Sequence, residues 1–119
     1  MSEHLLQPSN YSNPPPAETT GFQFNHTMIR VKDPKVSIDF YTRVLGMTFL
    51  SSSAFEFGKF SLYFLGYPTS EVPRSSEHEL SKWMFTQNTG LLELTHNWGT
   101  ENDSEFKYHN GNNDPRGFG

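Results

Sequence analysis

The sequence predicts an α+β domain: a mixed β-sheet with one covering helix, in the order strand, helix, then a meander of three or four strands. Three observations carry this. The stretch "GFQFNHTMIRV" alternates along a strand and runs into "KDP", a helix start. One segment only, "KVSIDFYTRVLG", has a helical apolar period. After it come short apolar or alternating runs, "MTFLSS", "KFSLYFLGY", "KWMFTQ" and "GLLELTHNW", which read as strands.

Each element has a local reason. In the first strand Phe22, Phe24, His26, Met28 and Arg30 share one face, and Thr27, Ile29 and Val31 the other, because successive side chains alternate. Asp33 is placed to cap the helix and Pro34 suits its first position. Val36, Phe40 and Val44 lie four apart, as do Tyr41 and Leu45, which predicts one buried stripe. Gly46 is placed to end the helix in a left-handed conformation. "KFSLYFLGY" alternates Phe60, Leu62 and Phe64 against Ser61, Tyr63 and Leu65. Residues 68–81, polar and with two prolines, read as a loop. "KWMFTQ" and "GLLELTHNW" read as strands around a short turn near Asn88, Thr89 and Gly90. Residues 1–20 contain three consecutive prolines and read as a disordered, extended arm, and residues 21–119 as the folded module. A single helix leaves one aromatic-lined sheet face uncovered, which suits a partner or a ligand.

Composition narrows the function. The chain has 119 residues, the size of one small domain. Its net charge of −4 and lack of a basic run argue against nucleic acid as a partner. The absence of cysteine excludes disulfides, thiolate metal sites and a cysteine nucleophile together. No apolar stretch reaches the roughly 18 residues of a membrane span. The N-terminus lacks the pattern of a secretory signal, so the cytoplasm is the expected compartment. No serine has a nucleophile-elbow context and no glycine-rich loop matches a phosphate cradle.

Two polar residues interrupt apolar strands: His26 and Glu93. A carboxylate between Leu92 and Leu94 is costly to bury unless paired or metal-bound. Arg30 shares the face of His26. If the first and last strands are neighbours, His26 and Glu93 meet, and an imidazole nitrogen with a carboxylate oxygen suits Zn²⁺ or another first-row divalent ion. By spacing alone, plainer readings stand beside this. His26 reads equally as a half-buried strand histidine bonded to backbone, and Glu93 as the partner of Lys82 or Arg30. Asn97 reads as a turn former, Trp83 and Trp98 as core, and Arg116 as a loop residue.

The stretches "NHTMIRVKDPKVSIDFYTRVLGM", "KFSLYFLGY", "LELTHNWGTE" and "YHNGNNDPRGFG", in that order, resemble glyoxalase I, the lactoylglutathione lyase family of the vicinal oxygen chelate superfamily. The resemblance runs from about Phe22 to Gly119 and implies a βαβββ glyoxalase module. It implies isomerisation of the methylglyoxal–glutathione hemithioacetal to S-lactoylglutathione, a detoxification of methylglyoxal. It implies a divalent metal, Zn²⁺ or Ni²⁺, held by His26 and Glu93, with glutathione as cosubstrate. Arg30, Asn97 and Arg116 match contacts to glutathione, and Phe55, Leu62 and Phe64 match the apolar pocket.

In the family each site takes two ligands from each of two modules. The third ligand is a His directly after "GFG", and the fourth, a Glu that is the principal base, lies later still. The sequence therefore carries half of a site, truncated before the second module, with Glu93 as a second base. A second module or a homodimer partner is expected to complete it. The alternative is an inactive half-module that serves only as a binding or dimerisation unit.

Overall fold

The computed structural model describes residues 4–87 and 89–117. Strand β1 (His26–Arg30) leads into helix α1 (Pro34–Asp39), which widens into a π-turn over Phe40–Val44. Strands β2 (Thr48–Phe55) and β3 (Phe60–Gly66) form a hairpin, helix α2 spans Glu77–Met84, and β4 (Leu91–Asn97) follows. The sheet order is β1-β4-β3-β2. β4 runs parallel to β1 and antiparallel to β3, so the sheet is mixed as expected. No helix among the described residues is long and apolar enough to cross a membrane.

Local chemistry sets several boundaries. The Asp33 carboxylate accepts from the Lys35 N–H at 3.0 Å, and Pro34 opens α1. Gly46 closes it at φ +71°, a conformation that glycine adopts without a Cβ penalty. The turn between β2 and β3 places Lys59 at φ +53°. Phe22 and Phe24 precede β1 and are exposed. The tract from 4 to 25 holds only two short 3₁₀ turns, Pro8–Tyr11 and Ala17–Thr19. The Cα radius of gyration is 18.4 Å, against about 14 Å for a compact chain of this length, so terminal segments extend away from the sheet.

Three expectations are corrected. The segment expected as a loop and then a strand, residues 68–87, contains α2 instead. Ser76 caps it, its hydroxyl accepting from the Glu79 N–H at 3.1 Å, with Glu77 and Glu79 in the first turn and Lys82 in the last. Leu80, Trp83 and Met84 recur at three- and four-residue spacing, a helical period, and pack on Leu50, Phe64 and Leu91. The sheet therefore has two helices, and α2 covers part of the face expected to be open. The third correction concerns α1. Val36, Phe40 and Val44 are exposed, whereas Ile38 and Tyr41 pack on Val31, Leu65 and Leu94. Val36 and Phe40 thus already lie on the outer face of the regular turns; the Leu45 N–H then bonds back five residues to the Phe40 carbonyl, and Leu45, expected beside Tyr41, is exposed too. Of the expected turn before β4, Asn88 lies outside the described residues.

The core is thus two clusters separated by the sheet, with Leu50, Leu65 and Leu94 fully buried. Leu94 is on β4, one of the two strands with neighbours on both sides. Truncation of Leu94 to Ala is expected to cost about 2–5 kcal/mol, read as a lower urea midpoint at unchanged slope. A loss below about 1 kcal/mol would contradict its placement in the core.

Candidate functional site

The parallel register pairs His26 with Leu91 and Met28 with Glu93. Side chains alternate, so residues 26, 28 and 30 of β1 share a face with 91, 93, 95 and 97 of β4. Across this face His26 Nε2 comes within 3.5 Å of Glu93 Oε1, and the Glu93 side chain is only 15% exposed. Neither Lys82 nor Arg30 pairs with Glu93 among the described residues; the imidazole faces it. The other ring nitrogen, Nδ1, lies 2.8 Å from Asn25 Oδ1. Phe64 and Phe85 meet the imidazole edge-on, with centroids 5.6 and 5.8 Å away.

Glu93 opens onto a cavity of about 790 Å³. Phe55, Leu62 and Phe64 line it, together with Met84 and Phe85 of the α2 end. Phe55 stacks on Phe60 at 4.9 Å between centroids. Arg74 closes one rim, donating to the carbonyls of Leu50 (2.5 Å) and Phe49 (3.2 Å) and so tying the loop before α2 to the edge strand β2. Ser51, Ser52, Ser53, Ser81 and a second carboxylate, Glu77, also line the cavity; apolar area with a few polar groups is the mixture that holds and orients an organic ligand.

Farther along the same face, Arg30 Nη1 donates to Asn97 Oδ1 at 3.3 Å, and the Tyr108 hydroxyl donates to the same oxygen at 3.4 Å. Asn97 therefore has its oxygen occupied and its amide hydrogens available. Together with the remaining guanidinium N–H groups this makes a donor-only patch, suited to a carboxylate. Arg116 stands apart. It is exposed, forms no hydrogen bond or ion pair among the described residues and does not line the cavity.

Behind β4, on the opposite face, His96 is buried and its Nε2 donates to Glu101 Oε2 at 2.5 Å. Glu101 Oε1 accepts from the Gly99 N–H, and Thr100 donates its hydroxyl to the Lys32 carbonyl at 2.6 Å. These bonds tie the turn after Asn97 to the end of β1, and so hold Arg30 and Asn97 in register. Its own backbone N–H holds the Glu101 carboxyl below its ordinary value of 4.5; partial burial opposes this, and His96 and the Gly99 N–H add to the lowering.

Could this pair hold a cation? The donors are chemically right, one imidazole nitrogen and one carboxylate oxygen converging on the same space. Among the described residues no third His, Cys, Asp or Glu joins them. The residues fit half of a coordination shell. Asn25, Tyr108, Phe85 and Arg74 were not singled out in the sequence. Only the helical period of Leu80, Trp83 and Met84 could have placed Phe85 beside the site.

Comparison with known proteins shows the family. A family model described as the Glyoxalase/Bleomycin resistance protein/Dioxygenase superfamily matches residues 23–118. A lactoylglutathione lyase from Pseudomonas aeruginosa is 54% identical over 105 residues, 88% of this chain and 58% of its own length. A glyoxalase I from Saccharomyces cerevisiae is 51% identical over 104 residues, 87% of this chain but 29% of its own. The chain spans little more than half of the first relative and under a third of the second. Among solved structures, the trypanothione-dependent glyoxalase I of Leishmania major is 34% identical with a TM-score of 0.50, over 74% of this chain and 50% of that one.

The Glu101 carboxyl gives up its proton more readily in the folded chain than in the unfolded one. Its contribution to stability is therefore complete above pH 4.5 and fades as the pH falls through the folded value. The thermal midpoint of wild type minus that of Glu101→Gln is expected to shrink on acidification below this range. A gap that stays constant or widens would rule out the assignment.

Proposed function

The chain belongs to the Glyoxalase/Bleomycin resistance protein/Dioxygenase superfamily, and we propose that it acts as the first module of a lactoylglutathione lyase. The observation that carries this reading is the approach of His26 Nε2 to Glu93 Oε1 beside an apolar cavity. The lactoylglutathione lyase and glyoxalase I names of its relatives support it. The substrate is the hemithioacetal of methylglyoxal and glutathione, and the product is S-lactoylglutathione.

His26 and Glu93 would hold a divalent cation, Zn²⁺ or Ni²⁺. When bound, such an ion supplies Lewis-acid stabilisation of negative charge developing on neighbouring substrate oxygens. The chain's own residues do the rest. Arg30 and Asn97 present N–H donors to a carboxylate of glutathione, and Arg116 adds a further contact once the assembly is complete. Phe55, Leu62 and Phe64 enclose the carbonyl end and keep water away from it. A proton leaves the carbon bonded to sulfur and one returns to the adjacent carbon, so the reaction is an isomerisation without gain or loss of atoms. Glu93 is placed to accept that proton from one substrate epimer.

The missing donors come from a second βαβββ module or a second copy of the chain. All five residues of β1, the edge strand that carries His26, are exposed, which suits such a partner. The cytoplasm is the proposed compartment.

Size-exclusion chromatography, metal analysis and an ultraviolet assay of hemithioacetal isomerisation test this together. The assembled protein is expected to hold one divalent ion per His26–Glu93 pair and to turn over substrate. Glu93→Gln is expected to lose metal and to slow turnover by roughly 10²–10⁴-fold, the range for a general base. Intact metal content and turnover in that variant would refute the role of Glu93. A metal-free, inactive monomer would favour a unit that only binds a partner.

A further inference from the structure

Asn25 lies just before β1, between the end of α2 and the imidazole of His26. Its Nδ2 donates to the Met84 carbonyl at 3.0 Å. A carbonyl only accepts, so the nitrogen end of the amide must face Met84. The oxygen end then faces His26, 2.8 Å from Nδ1. An amide oxygen also only accepts, so Nδ1 must carry the hydrogen. A neutral imidazole has one such hydrogen. Nε2 is thereby left with its lone pair, and Nε2 is the nitrogen that faces Glu93 at 3.5 Å.

We propose that Asn25 is a positioning residue that fixes the His26 tautomer and presents Nε2 as the donor atom for a divalent cation. The anchor is α2. Its Met84 carbonyl, at the last helical position, accepts from Asn25 Nδ2 at 3.0 Å and from Gln87 Nε2 at 3.4 Å and so orients the Asn25 amide, and Phe85, next in sequence, meets the His26 ring edge-on at 5.8 Å. Helix α2 thus sets both which nitrogen is free and how the ring is turned. Histidine ligands commonly need such an outer hydrogen bond, and its loss typically weakens metal binding 10–100-fold. The inference rests on His26 being a metal ligand, as proposed above, but its first test needs no metal.

In the metal-free full chain, long-range ¹H–¹⁵N correlation spectra report which imidazole nitrogen is protonated, with His26 assigned by its loss in His26→Gln. At a pH where the ring is neutral, wild type is expected to show Nδ1 protonated and Nε2 bare. Asn25→Asp keeps an oxygen acceptor and should keep this pattern. Asn25→Ala should mix in the Nε2–H form; Asn25→Leu, which refills the volume, should do the same and serves if the alanine variant does not fold. Titration with Zn²⁺ alone should then weaken roughly 10–100-fold in the alanine or leucine variant and far less in Asn25→Asp. A protonated Nε2 in neutral wild type, or unchanged nitrogen shifts and Zn²⁺ affinity in the variants without an acceptor, would overturn the proposal. If wild type binds no Zn²⁺, the metal reading fails, while the nitrogen shifts still decide whether Asn25 sets the tautomer.

Discussion

The parallel pairing of β1 with β4 is the constraint on which the rest depends. It places two strands from opposite ends of the chain side by side, and it fixes Met28 opposite Glu93 and His26 opposite Leu91. From that register follow the approach of His26 to Glu93 and of Arg30 to Asn97. A slip of one residue would turn His26 and Arg30 to the other face, away from Glu93 and Asn97. The bonds around Thr100 and the His96–Glu101 pair lock the end of the same two strands, so the functional face is held from behind by polar contacts that take no part in it.

Helix α2 does the complementary work on the functional side. Its apolar residues bury Leu50, Phe64 and Leu91 beneath the cavity, and its last turn reaches His26 through Asn25 and Phe85. Arg74, just ahead of the helix, fastens the approach to β2. Sheet and helix together therefore define a pocket with apolar packing beneath it, Glu93 at the boundary with β1 and Glu77 at the start of α2. The low-polarity walls strengthen any electrostatic contact made to Glu93, because little water competes for it.

Much of this was legible in the sequence, for identifiable reasons. Asp33, Pro34 and Gly46 signal the ends of α1 by local chemistry alone. Alternation revealed β3, and the break of an apolar run by Glu93 revealed a position needing compensation. Neighbouring first and last strands then implied the meeting with His26. Helix α2 was hidden because its cap and first turn, "SEHE", are polar, and Leu80, Trp83 and Met84 fall in its second half, where Trp83 and Met84 with Phe85 resemble a strand. The stripe on α1 misled because apolar residues stand on both sides of the helix, and Ile38 with Tyr41, not Val36 with Phe40, faces the sheet. Nothing in the sequence links Asn25 to its partner Met84, 59 residues away, and only the folded chain makes them neighbours.

The register of the sheet also has a bearing on when the site comes into being. The hairpin of β2 and β3 closes through a four-residue turn, whereas joining His26 to Glu93 closes a loop of more than sixty residues. Loop-closure entropy rises with span, and contacts distant along the chain slow folding. A half-folded molecule can possess the hairpin and still lack the imidazole–carboxylate couple. A cation held as proposed for His26 and Glu93 would therefore be bound only at completion, and would select finished molecules over partly folded ones.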